Sequence, residues 1–420
     1  MTNWLKMIKR KAFSHILCVS LLLVLSAQTH AQFLGFRMST GAKVIEFPFE
    51  RYNNLIIIPV TINGRITVKF ILDSGVQNCI LTEPLVASLL NLTYDRTITF
   101  TAPGQADSIL AHVAKNVQLK LPGIEGQGIS MLVLDQDYLN LSNQLGTEVF
   151  GIIGYELFSR FIIEVNYDKK VVKFYEPNFF NPKKYYEKVP LIVRGTKPYM
   201  AAEITQKNGT KMNVALMVDS GASHAILLDQ STSQLIHIPE KKLEASLGKG
   251  LGGDIEGVVA RVDKVKIGKY SFDDVIASYP NEGSYGLVPE EAERRNGTVG
   301  GEILSRFNHI YDYFSQTLYL SKSVEYQKKF EYDMSGLEVV AHGTELNRIR
   351  VVNVREDSPA KKAGVMEGDI IKTVNGLTIS NTSLNFLTTL MRLKKGKKVT
   401  LRLLRNAEEV KVTFRLERMI

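Results

Sequence analysis

Asp73-Ser74-Gly75 recurs as Asp219-Ser220-Gly221, and each copy closes an apolar run of strand character, residues 68–72 in one case and 214–218 in the other. A buried strand that delivers a carboxylate into a tight turn is costly unless that carboxylate has a partner or a task. One such tripeptide would mean little, because Asp, Ser and Gly are the residues that ordinary turns select. The spacing carries the weight. The copies lie 146 residues apart, and Ser159-Arg160-Phe161 recurs at the same interval as Ser305-Arg306-Phe307, as does Tyr167 as Tyr313. The chain is an internal duplication, and any fold for it must place two equivalent acidic turns.

The start of the chain reads as a secretory signal. Lys6, Lys9, Arg10 and Lys11 precede an apolar run at residues 16–25, and Thr29-His30-Ala31 supplies small residues for cleavage after Ala31. The apolar run is shorter than the ~20 residues a spanning helix needs, and no later segment has transmembrane character, so no integral membrane segment is expected after signal removal. Removing residues 1–31 lowers the formal charge from +9 to +5 and leaves Cys79 as the one cysteine. An exported chain without an intrachain disulfide depends on core burial, and this one is long enough for two to three domains. From Asp333 onward 16 Lys and Arg face 10 Asp and Glu. Part of that excess is the Lys-rich stretch 394–398, which reads as a solvated turn, and nothing points to nucleic acid.

Many short apolar alternations broken by Gly, Asn and Asp make both repeats mainly β. Residues 55–62 and 66–72 read as strands joined at Asn63-Gly64, and residues 83–90 as a short helix. The expected organisation is a signal peptide at 1–31, a first lobe at 32–176, a linker at 177–187, a second lobe at 188–325 and a separate unit at 333–420. In that unit, Ser335-Gly336-Leu337-Glu338-Val339 precedes a strand at 348–354. Then come Asp357-Ser358-Pro359-Ala360, Gly368-Asp369-Ile370-Ile371, a helical pattern at 383–393 and two closing strands. This order resembles a PDZ domain of the bacterial envelope-protease type. The resemblance implies a groove between the strand near Val339 and the 383–393 helix, where an extended peptide is added as a strand. It further implies that the amides of Ser335, Gly336, Leu337, Glu338 and Val339 cradle the peptide's C-terminal carboxylate.

If the repeats pack about a pseudo-twofold axis, Asp73 and Asp219 can meet. Two carboxylates about 3 Å apart cannot both ionise and share one proton. One then serves as general base on a water while the other protonates a carbonyl oxygen. Ser74 and Ser220 can bond across to the opposite lobe. Gly75 and Gly221 can let amides approach the carboxylates and permit turn geometry closed to other residues. Residues 45–322 resemble a single-chain, two-lobed aspartic protease, similar in motif to the retropepsin-like group. The family's apolar-apolar-Gly segment is matched by Ile152-Ile153-Gly154 and, with a hydroxyl, by Thr298-Val299-Gly300. The resemblance implies a two-lobed, pseudo-twofold β-barrel fold beside the small α+β PDZ unit, with Asp73 and Asp219 as the catalytic dyad. It implies polypeptide substrates and needs no cofactor or metal.

Val76 and Ala222 stand where pepsin-like enzymes carry a hydroxyl that lowers the dyad pKa, so the optimum is expected at mildly acidic to near-neutral pH. Flap tips are expected at Pro103-Gly104-Gln105 and at residues 248–253, although a Gly-rich hairpin is often only a turn. Rival chemistries are poorly served. The histidines of the mature chain are scattered, with no His-Glu-x-x-His pair and no Gly-x-Ser-x-Gly elbow. His224 is expected at the lobe interface or the surface, and Cys79 as a small buried hydrophobe. Two other readings stay open, a non-catalytic peptide-binding scaffold and a purely structural role for the two Asp turns.

Overall fold

The computed structural model describes residues 33–39, 41–104, 108–284, 295–379 and 383–420. The expected signal segment and Gln105 lie outside them. Residues Gly35–Ile420 form one compact unit.

Each repeat builds a sheet around its Asp-bearing strand. In the first, Ile66–Leu72 is antiparallel to Leu55–Ile62 and parallel to Gly151–Ile153, with Leu72 opposite Ile153. In the second, Lys211–Val218 is antiparallel to Lys197–Thr205 and parallel to Gly297–Val299, with Val218 opposite Val299. The last three residues of each strand, 70–72 and 216–218, are buried on both faces and wholly apolar, whereas the earlier positions alternate, with Lys69 and Asn213 among the less buried. The 55–62 and 66–72 strands have the expected bounds. Their connection is the three residues 63–65, in which Asn63 and Gly64 both take positive φ (50° and 64°) and Arg65 N donates to Ile62 O (3.0 Å).

A six-stranded sheet joins the lobes, in the order Glu187–Pro190, Thr317–Lys322, Phe307–Asp312, Ile162–Asn166, Val171–Tyr175 and Val44–Pro48. Its register displays the twofold. Glu164 faces Ile310, residues 146 apart, while Ile163 faces Tyr311 and Val165 faces His309. Position 163 corresponds to 309 and position 165 to 311, so a half-turn about the 164/310 pair exchanges the two halves. A single apolar core runs through both lobes.

The C-terminal unit has its own core, built on Leu337–His342, Arg348–Val354, Ile370–Val374, Lys398–Arg405 and Glu408–Arg415 in that sheet order. The helix Ser383–Met391 lies beside Leu337–His342, an edge strand with one side unpaired. Among the described residues, no helix is long and apolar enough to cross a membrane.

Candidate active site

Asp73 and Asp219 sit half-buried at the ends of equivalent strands, their amides donating to Ile153 O (2.9 Å) and Val299 O (3.0 Å). The segments behind them therefore hold both turns by the backbone. Gly154 and Gly300 are required there by space. A Cβ on Gly154 would lie 1.8 Å from Asp73 O, and one on Gly300 2.4 Å from His224 O. Thr298, whose hydroxyl departs from the apolar pattern, bonds His224 Nε2 at 2.6 Å. His224 is thus tied inside the second lobe behind the Asp219 turn, half-buried, with burial pushing it down to about 4.

The two turns are locked by the serines. Ser74 N donates to Ser220 Oγ (2.9 Å), and Ser220 Oγ donates to Leu72 O (2.9 Å). Reciprocally, Ser220 N donates to Ser74 Oγ (3.1 Å), and Ser74 Oγ donates to Val218 O (2.7 Å). Each hydroxyl accepts from one amide and donates to a carbonyl of the opposite lobe, so all four buried bonds cross the interface. Tyr311 lies beneath this lock, its ring edge-on to Phe158, which also stacks on Tyr313.

The carboxylates meet at the lobe interface, close enough that each acts on the other's titration. Gly75 N donates to Asp73 Oδ1 (2.7 Å) and Gly221 N to Asp219 Oδ1 (3.0 Å). Neither Gly75 nor Gly221 has positive φ, so the backbone freedom expected of them is not what these positions use. They are small because a Cβ on Gly221 would sit 2.3 Å from Asp73 Cγ, and one on Gly75 3.1 Å from Asp219 Oδ1.

Burial first, then the facing carboxylate, push Asp73 well above the usual carboxylate range, against the Gly75 and Gly221 amides. Burial also raises Asp219, but the facing Asp73, the Gly221 amide and the charge of Arg295 offset part of that. Burial thus raises both carboxylates, and a facing pair of this kind holds one proton between its two acids. Arg295 was not singled out in the sequence. The position 146 residues before it is Val149, so this cation breaks the twofold and biases the pair.

Both halves match the family model described as aspartyl protease. The matched segments are residues 58–157 and 202–301, and residues 323–416 match the PDZ domain model. The chain thus joins a two-lobed, pseudo-twofold, aspartic-protease-like β body to a PDZ domain. It is similar to a carboxy-terminal-processing protease of Bartonella bacilliformis, 32% identical over 117 residues that make up 28% of this chain and 26% of that protein. It is also similar to the carboxy-terminal processing protease CtpB of Bacillus subtilis, 30% identical over 144 residues, 33% of this chain and 29% of that one. A third relative, from Staphylococcus saprophyticus, is named a probable CtpA-like serine protease, and the chain spans between 19% and 29% of the length of these three. Among solved structures, an aspartic proteinase from Irpex lacteus aligns over 68% of this chain and 99% of its own with a TM-score of 0.42 and 12% identity.

In the PDZ unit the expected carboxylate cradle is narrower than five amides. Ser335 N and Gly336 N donate to Asp333 Oδ1 (3.1 and 2.6 Å), and Leu337 N donates to Ser335 Oγ (3.1 Å). Asp333, two residues upstream, turns the loop on itself. Cys79 is fully buried, with its amide on Glu156 Oε1 (2.6 Å) and its thiol pushed up by burial.

Proposed function

We propose that this chain is an exported aspartic-type endopeptidase whose PDZ domain binds peptide. One observation carries the reading: two carboxylates brought face to face from equivalent turns, enclosed by protein, and held by a reciprocal serine lock. A structural pair would not need both acids, since the lock already joins the lobes without them.

With the shared proton on Asp73 and the charge on Asp219, a water between them loses its proton to Asp219 as its oxygen attacks the scissile carbonyl carbon. Asp73 gives its proton to the carbonyl oxygen, producing a neutral tetrahedral diol. Asp219 then gives its proton to the amide nitrogen while Asp73 takes one back from a diol hydroxyl, the C–N bond breaks, and the amine and the new carboxylic acid leave with the dyad restored. The serine chemistry named for one relative finds less support in this body. The ring bonds of His112, His224 and His309 run to Thr97, Thr298 and the Leu304 carbonyl.

The active form carries one proton on the pair. Activity therefore falls on the acid side as Asp219 becomes protonated and on the alkaline side as Asp73 loses its proton. Because both groups are raised, both limbs of the kcat/KM profile are expected above the ordinary carboxylate range. Arg295→Met removes a charge that lowers Asp219, so its acid limb should move to higher pH while the alkaline limb, set by Asp73, moves less. A wild-type profile peaking near pH 2, or an acid limb that stays in place in Arg295→Met, would contradict this assignment. Export is tested by N-terminal sequencing of the secreted chain, which should begin at Gln32.

A further inference from the structure

The PDZ groove opens onto the flaps. A cavity of about 540 Å³ lies between the edge strand Leu337–His342 and the helix Ser383–Met391, lined by Leu337, Val339, Leu387, Thr388 and Met391. That is within the ~300–1,000 Å³ typical of ligand pockets. Its far wall comes from both lobes: Asn140 and Gln144 of the first lobe, where the helix Leu141–Leu145 packs against the edge strand, and the second-lobe hairpin formed by Lys242–Gly250 and Gly253–Ile267, which contributes Ser246, Gly248, Lys249, Asp254 and Glu256.

The tip of that same hairpin clasps the first lobe. Gly252 N donates to Pro103 O (2.9 Å), Gly104 bridges Gly252, and Gly104 N donates to Ser284 O (3.1 Å). There is no slack at this contact, since a Cβ on Gly250 would lie 2.0 Å from Pro103 O. Between tip and base the hairpin has places to bend. A bulge falls at Ser246/Gly248, and Gly248 and Gly253 hold φ of +125° and +102°. The hairpin is thus a single element shared between the closed flaps and the groove.

The groove also holds a guanidinium edge without a hydrogen bond. Arg355 lines it with Nη2 3.8 Å from Glu338, and its Nη1 is buried with no hydrogen-bond partner among the described residues. A buried guanidinium edge of this kind is matched by a carboxylate. Three of the five loop amides are already taken by Asp333 and Ser335, and Arg355, with Arg392 and Lys249 on the same lining, offers a cationic anchor for a chain terminus. An extended peptide pairing with Leu337–His342 lies ~4.8 Å from that edge. To lie there it must push aside the first-lobe helix Leu141–Leu145 and the hairpin residues Lys249, Asp254 and Glu256.

We propose that a peptide C-terminus, its carboxylate on Arg355, displaces the second-lobe hairpin and opens the flaps. Ligand binding at the groove forms a ladder of main-chain bonds, whereas the clasp it strains has only a few. The consequence for cleavage rests on the peptidase reading; the movement itself does not.

The test uses the full chain carrying Asp219→Asn, so that nothing is cut. The probes are fluorescein-labelled decapeptides ending in Ala, Val, Leu, Ile or Met, each as free acid and as C-terminal amide. Binding is read by anisotropy, and hairpin opening by amide hydrogen exchange across residues 242–257. The expected result is that at least one free acid binds and speeds hairpin exchange threefold or more, while its amide does neither. Thr388→Tyr, which fills the groove from the exposed side of the helix, should abolish both responses. Four outcomes would each overturn the proposal. They are no free-acid binding, binding with hairpin exchange unchanged or slowed, an equal response to the amide, and a response that survives Thr388→Tyr. Because exchange is read on an inactive chain, a wild-type protein that cleaves nothing would defeat the peptidase reading and leave this result standing.

Discussion

Asp219→Asn is expected to lower kcat/KM by on the order of 10³- to 10⁴-fold, the upper part of the range for loss of a positioned acid–base group, with KM nearly unchanged. The substitution keeps the volume and the Gly221 N–H contact but removes the charge that accepts the water's proton. Asp73→Asn should be equally inactive, and its effect on stability separates catalysis from structure. Asp73 is raised in the fold, so the folded state holds its proton more tightly than the unfolded chain does. Its contribution is fully present below the unfolded-state carboxylate pKa and is lost as pH rises through the folded value. At neutral pH, enclosing two acids is a burden that Asn relieves. Thermal unfolding should show a higher Tm for Asp73→Asn at pH 7, a gain that disappears as the pH falls below the ordinary carboxylate range. A lower Tm at pH 7 would mean the acids serve structure.

Ser74→Ala should destabilise the protein by about 2–6 kcal/mol, because two buried groups, Ser220 N and Val218 O, lose their partner at roughly 1–3 kcal/mol each. Chemical denaturation measures it. Ser220→Ala strands Ser74 N and Leu72 O in the same way. The double variant should cost clearly less than the two singles together, since each hydroxyl serves the other's turn. Strict additivity would mean that the four bonds are independent, contrary to a reciprocal lock. Ser74→Thr keeps the hydroxyl and should retain most of the stability.

The dyad and its lock were legible in the sequence because a carboxylate ending a buried strand is costly, and here it occurs twice at one interval with its backing segment. The strands at 55–62 and 66–72 were legible because two largely apolar runs flank a turn that takes positive φ. Other features depend on partners far away in the chain. Ile109–Leu121 carries Lys115 and Asn116, and its ladder slips between Ala114 and Val117, which blurs the alternation. Arg295 belongs to no motif and matters only because the fold sets its charge near Asp219. His224 gave no sign of Thr298 as its partner, because the two lie 74 residues apart. Asp333 does sit in an Asp-x-Ser-Gly turn pattern, a local signal that the Ser335 and Gly336 amides were already engaged. The closeness of the PDZ groove to the flap hairpin depends on how domains pack, and no periodicity encodes that.

The most direct measurement is cleavage of a diverse peptide pool by the full chain between pH 4 and 8, in three arms: untreated, with a statine-containing peptide, and with a serine-acylating fluorophosphonate. Statine carries a tetrahedral hydroxyl that fits between two carboxylates sharing a proton. The account predicts cleavage that is abolished by the statine peptide and untouched by the fluorophosphonate. Cleavage abolished by the fluorophosphonate, or no cleavage at any pH by the folded chain, would contradict it.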